Sequence, residues 1–421
     1  VYKRQDLLRA ILMTRAAKEK YHGTSATSEV REFRIRMGME LDLMNLWFGK
    51  TADYFKQFIS DQTIGMARIN RFDFTTLPIN LLYLLYYEYR RNEKESLNFS
   101  FFEYGKNSNG NPDDDRWEMY LELQEMYAIL QRWYNDKELY HYLGFLFFNF
   151  KAQTPFRDIY TQWKALNSRD KFLKDIQHTI ATRMLDRYLE ETEKAAPDYQ
   201  KCLKTMTEAI SDFRENWYNN DKELYQILIL LDIFRILDSK SIKKLPTDYF
   251  TRKSGQKDGE DKEHILSQTP RKDNGEIATI KPDWERFAQS EDFKDIRSQM
   301  QEILNHSDAE LTEQELTQLQ NLLNSAGLNS IGNMVLLDLR INRSYGNADY
   351  AHKRTIIFQE YMNQKYVRPH TLAVFMKGDI DAREATGIPL NRWTLEDIKR
   401  NTDKIAKEIG KNFNAWLTQN N

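Results

Sequence analysis

A mainly α-helical fold is predicted for this chain, on three observations. Apolar residues return at helical spacing over most of its 421 residues. One stretch, Ile79 to Tyr89, is apolar almost all round and reads as a buried helix. One short stretch, Met334–Leu337 after a Gly-Asn turn, is strand-like.

In chain order, Leu7, Leu8, Ala10, Ile11 and Leu12 form a short helix, followed by a polar stretch around His22-Gly23-Thr24-Ser25. Helical spacing resumes from Val30 through Phe58. Pro78 stands at a helix start, where its missing N–H costs nothing. Asn107 to Asp115 is a turn-forming loop. Its Asp113-Asp114-Asp115 triplet reads as the cap of a helix beginning at Trp117 rather than as metal ligands, since carboxylates favour the positive end of a helix dipole. Trp133-Tyr134-Asn135-Asp136-Lys137-Glu138-Leu139-Tyr140 nearly returns as Trp217-Tyr218-Asn219-Asn220-Asp221-Lys222-Glu223-Leu224-Tyr225. Two copies are too few for a solenoid, so the segment reads as two helical hairpins with the same turn chemistry. Their aromatic pairs are assigned to the core rather than to a base-stacking platform.

Ser239 to Lys262 has weak periodicity and reads as a linker, and Gln268 to Pro282 as a second polar loop. Helices are expected over Trp284–Leu304, Glu313–Ser325 and Asn347–Asn363. Thr394-Leu395-Glu396-Asp397 opens a last helix with a capping-box pattern, and Trp416 anchors its end. The resulting division is a helical segment over 1–110, a helical domain over 111–245, and a third domain over 246–421 with a helical insertion near 283–328.

Charged residues make up 29% and apolar residues 41%, which reads as soluble and globular. Sixty-one basic against 63 acidic side chains announce no nucleic-acid partner, so any basic surface must be local. The single cysteine, Cys202, excludes an intramolecular disulfide and any zinc site of several cysteines. It fits a reducing compartment, and the cytoplasm is the expected location. No apolar run is long enough for a bilayer, because Asp232 and Arg235 interrupt the best one, Leu224–Leu237. The chain opens without a methionine and inside a helical pattern, which reads as part of a longer protein.

The chemistry concentrates in a discontinuous stretch. Asp261-Lys262-Glu263-His264-Ile265-Leu266-Ser267-Gln268 is answered downstream by Ile331-Gly332-Asn333-Met334-Val335-Leu336-Leu337 and by Asn342-Arg343-Ser344-Tyr345-Gly346-Asn347. A carboxylate and a carboxamide oxygen suit a hard cation such as Mg²⁺ or Mn²⁺, and a neutral imidazole can take a proton from water. Glu263 or Asp261 would ligate the cation, with Asn342 as second ligand, while His264 acts as general base. On a strand, 261 and 263 share one face and 264 takes the other, so the carboxylates hold metal while His264 addresses water only if the strand twists or bulges there. Asn333 fits a side-chain-to-backbone bond that orients its loop or His264. Arg343, Lys353 and Arg354 would grip substrate phosphates.

The order of these elements resembles the HNH (ββα-metal) nucleases, specifically the domain of unknown function 1524 class at the C-terminus of GmrSD-like type IV restriction proteins. The acid-His pair, the Asn-bearing turn and the later Asn-Arg carry the resemblance, which covers roughly the last 175 residues. It implies a ββα-metal element near 262–268 and 331–362, with His264 as general base, Glu263 and Asn342 as metal ligands, and Asn333 as the structural asparagine. Asn347 and Lys353 match recurring positions. Ser267 stands where the family often has proline. Upstream, Asp6-Leu7-Leu8-Arg9-Ala10-Ile11-Leu12-Met13 is similar to the end of the partner ParB-like domain (domain of unknown function 262). The Asp-Gly-Gln-Gln-Arg motif of that domain is not in this sequence, so a nucleotide is implied only if that domain is present. The implied function is a metal-dependent DNA endonuclease of a restriction or anti-phage defence system, acting on modified or phage DNA and able to oligomerise. The alternative is a non-cleaving DNA- or protein-binding module on a degenerate HNH fold.

Overall fold

A computed structural model describes residues 8–21, 28–70, 72–91, 96–98, 101–102, 115–240, 243–253, 259–267, 269–270, 277–290, 293–341, 350–377 and 390–418. It is mainly α, with one two-stranded antiparallel sheet among the described residues. Two compact units follow the chain, Val1–Ile176 and Gln177–Asn421.

The first unit is built on α1 (Ser28–Phe55), α2 (Asp61–Ile69), α3 (Asn80–Arg90), α4 (Asp115–Asn135), α5 (Lys137–Asn149) and α6 (Phe156–Leu166). Leu81 to Tyr87 are all buried, as an all-round apolar helix requires. Aromatic rings fill this core: Phe58 stacks on Phe147 at 3.9 Å, and the buried Tyr54 hydroxyl donates to the Tyr140 carbonyl at 2.8 Å. Asp136 caps α5 by accepting from the Glu138 and Leu139 amides, and Arg169 grips the same carboxylate at 2.9 Å. Arg169 begins α7 (Arg169–Leu185). The His22–Ser25 stretch and most of the Asn107–Asp115 loop lie outside the described residues.

The second unit contains α8 (Tyr199–Ser211), α9 (Asp221–Asp238), β1 (Glu260–His264), α10 (Lys281–Ala288), α11 (Arg297–Asn305), α12 (Glu313–Ser325), β2 (Met334–Asp338), α13 (Tyr350–Met362), α14 (Pro369–Met376) and α15 (Leu395–Thr418). The expected helix over 284–304 is two helices. Ser290 follows α10, and the Arg297 guanidinium bonds the carbonyls of Ala288, Gln289 and Ser290, satisfying the C-terminal acceptors of α10 instead of continuing it. α12 starts with a capping box from Thr312 and Glu315. α15 starts with the anticipated reciprocal pair: the Thr394 amide donates to Asp397, and the Asp397 amide donates to the Thr394 hydroxyl. Trp416 is buried against Phe413 and Phe234.

The second copy of the Trp-Tyr-Asn segment departs from the first. α4 runs through Trp133 and Tyr134, whereas α8 stops at Ser211 and leaves Trp217–Asn219 as a single 3₁₀ turn before α9. Asp232, read as an interruption of an apolar run, is fully buried on α9. Arg368 meets it at 2.8 Å and chelates Glu260, the first residue of β1, at 2.8 and 2.7 Å. Burial pushes the Asp232 carboxyl up while Arg368 opposes that shift. The charges persist inside because they are paired, and the pairing fixes the start of β1 to α9.

β1 and β2 pair in the register Glu260↔Asp338, Asp261↔Leu337, Lys262↔Leu336, Glu263↔Val335 and His264↔Met334. The helical insertion α10–α12 therefore loops out between two paired strands. Its Trp284, Leu304 and Leu323 join Ile265, Val335, Tyr350, Phe375 and Trp393 in one core directly beneath the sheet. No described helix is long and apolar enough to cross a membrane.

Candidate active site

The end of β1 presents two side chains in opposite directions, as strand alternation requires. Glu263 faces α13, where Lys353 lies 3.1 Å from its Oε1. The same ammonium donates to the His264 carbonyl at 2.7 Å. Lys353 is completely buried, and that burial pushes its pKa down while Glu263 holds it up. The Glu263 side chain keeps 20% of its surface exposed, so one carboxylate is open to solvent beside a buried cation.

His264 turns the other way and is 9% exposed. Tyr218 stacks on its ring at 4.7 Å with 20° between the planes. Its Nε2 lies 2.9 Å from Asn329 Oδ1. Lys262, two residues back on the same face, places its ammonium 4.2 Å from the Tyr218 centroid and bonds the Tyr218 carbonyl and Asp221. Asp261 is drawn instead to Arg252 at 3.2 Å and to the Tyr225 hydroxyl at 3.3 Å.

Asn333 closes the turn into β2 and is fully buried. Its Oδ1 accepts from the Leu266 amide at 2.8 Å, and its Nδ2 donates to the Leu266 and Leu328 carbonyls at 3.0 and 2.9 Å. Its own carbonyl takes the Ile265 amide at 2.9 Å. All of these partners are backbone, so the residue clamps the chain just after His264 to the turn before β2. Gly332 lets that turn approach α15. A Cβ there would stand 2.3 Å from both the Ile398 carbonyl oxygen and Thr402 Oγ1.

Of the other residues singled out in the sequence, Arg354 donates to the Phe375 carbonyl at 2.9 Å and packs over Phe358. Asn342, Arg343 and Asn347 lie outside the described residues. Among the described residues no group of three or more His, Cys, Asp or Glu side chains is placed to hold a metal ion. A site of one carboxylate and one carboxamide needs no such group. Glu263 suits a hard divalent cation in kind, being a partly exposed oxygen donor that already attracts the Lys353 ammonium.

Tyr218 and Asn329 are the site residues that sequence reasoning missed. Tyr218 belongs to the repeated segment assigned to the core, and Asn329 is 65 residues from the histidine it touches. No spacing signal set the second aromatic pair apart, since Met206, Ile210, Phe213 and Trp217 keep helical spacing although the helix ends at Ser211.

Residues 207–408 match the family described as GmrSD restriction endonucleases, C-terminal domain. That segment holds β1, β2, α13 and every residue of the site just described. No curated protein and no solved structure matches the chain.

Proposed function

We propose that this chain, whose residues 207–408 belong to the C-terminal-domain family of GmrSD restriction endonucleases, hydrolyses DNA phosphodiesters in a restriction system. The observation that carries the reading is the position of Glu263 and His264 at the end of β1, clamped by Asn333 to the turn before β2. Phosphodiester hydrolysis needs a base for water, neutralisation of developing charge and help for the leaving oxygen. His264 is the base in this proposal. A Mg²⁺ or Mn²⁺ ion, held by Glu263 and Asn342, would supply the Lewis acidity. Glu263 is preferred over Asp261 as the acid ligand because Asp261 is engaged with Arg252 and Tyr225.

The remaining residues position these groups. Lys353 fixes the peptide at His264 through its carbonyl and sets the Glu263 carboxylate. Tyr218 holds the imidazole plane and shields one ring face from water. Arg343 and Asn347 are proposed to meet the DNA backbone, with Arg354 supporting α13 through the Phe375 carbonyl.

The test is incubation of the purified chain with supercoiled plasmid in Mg²⁺ or Mn²⁺, against an EDTA control, together with calorimetric Mn²⁺ titration. Nicking that EDTA abolishes, and metal binding that is lost in Glu263→Gln and Asn342→Ala, are expected. Plasmid binding with no nicking under any divalent cation would favour a non-cleaving DNA-binding module.

A further inference from the structure

We infer that Asn329 is the positioning residue for His264, and that it holds the imidazole with its proton on Nε2. The inference rests on the reading of His264 as general base, and it concerns a residue outside the acid-His, Gly-Asn and Asn-Arg elements.

Asn329 is 5% exposed and tied down at three points. Its carbonyl accepts from the Trp217 amide at 2.9 Å. Its Nδ2 donates to Asn324 Oδ1 at 2.6 Å, which turns its Oδ1 toward the histidine. That oxygen lies 2.9 Å from His264 Nε2. An amide oxygen can only accept, so a neutral His264 must donate Nε2–H and carry its lone pair on Nδ1. Asparagine thus does here what a carboxylate or carbonyl does behind other working histidines: it selects one tautomer and fixes the ring's direction. The same backbone bond to Trp217 brings Tyr218 over the ring, so a single segment, Trp217–Tyr218, sets both the plane and the partner. Asn324 belongs to α12, so the helical insertion between the strands supplies the support for the base.

The experiment pairs ring-¹⁵N NMR of His264, recorded where the imidazole is neutral, with nicking kinetics on supercoiled plasmid in Mn²⁺. In the parent the Nε2–H tautomer dominates. Asn329→Ala is expected to raise the Nδ1–H population and to lower kcat about 10–100-fold with KM within about twofold. Asn329→Asp, which keeps an acceptor oxygen toward Nε2 but loses the donor to Asn324, is expected to retain the parent tautomer when the ring is neutral. If Asn329→Ala melts, the near-isosteric Asn329→Leu takes its place. A ring spectrum unchanged in the variant that lacks the acceptor overturns the inference, whatever the rate does. If the parent itself does not nick, the nuclease reading fails while the ring spectra still decide whether Asn329 holds the imidazole.

Discussion

Asn333 shows how much one side chain can organise. Its amide satisfies one donor and two acceptors of buried backbone, and no water can replace it at zero exposure. Asn333→Ala should destabilise the second unit by about 2–4 kcal/mol, because it strands three polar groups. Urea unfolding followed by tryptophan fluorescence measures this; a loss under 0.5 kcal/mol, roughly the surface-substitution level, would refute the clamp. Asp136 gives a pH-dependent case. Burial tends to raise its pKa, but Arg169 and the amides at the start of α5 outweigh that and hold it below 3.8. A depressed carboxylate contributes stability above its unfolded value and loses it as pH falls through the folded one. Asp136→Asn keeps a good cap but drops the charge. It should cost roughly 1 kcal/mol at neutral pH, with the gap to the parent closing below about pH 3.8 in the same unfolding measurement. Glu263, His264 and Asn333 were legible as residues because each is chemically distinctive in its pattern. Tyr218 and Asn329 were not, because stacking and tautomer selection depend on neighbours that only the folded chain supplies.

At the scale of elements, β1 is the instructive case. Glu-Asp-Lys-Glu-His is a poor strand by propensity, since Asp, Glu and Lys are depleted in strands. It is a strand because β2, apolar and buried over Met334–Leu337, offers it a ladder, and because Arg368 and Lys353 neutralise its acids at the two ends. A sequence window around 260–264 holds none of that information, while β2 and the long helices carry theirs in local periodicity. The break between α10 and α11 was equally hidden, being made by Arg297 reaching back over several residues. Two predictions belong here. Gly332→Ala forces a methyl against the Ile398 carbonyl and Thr402, so α15 or the Asn333 turn must move. A loss of about 1–3 kcal/mol by thermal or urea unfolding is expected, and a neutral result would show that the close approach is not needed. Lys353→Met removes the tie between α13 and β1. Faster amide exchange over residues 260–264 is expected by hydrogen–deuterium exchange, and unaltered protection there would show that the lysine does not hold the strand.

For the whole molecule, the helical character and the family match of residues 207–408 follow from patterns that survive in one dimension: helical spacing, caps, and the order of acid-His, Gly-Asn and Asn-Arg. The expectation was a site assembled across the insertion, and the two strands do pair across α10–α12, with residue 264 opposite residue 334. The near-neutral total charge means that any DNA attraction must come from local groups, so metal and base chemistry are better probes of the proposed function than affinity. The most direct measurement is plasmid nicking in Mn²⁺ by the parent chain beside His264→Ala and His264→Gln, with melting curves and circular dichroism confirming that both variants fold. Loss of about 10²–10⁴-fold in nicking rate with the fold retained is predicted, the range for removal of a general base. Folded variants that nick as fast as the parent would contradict the account.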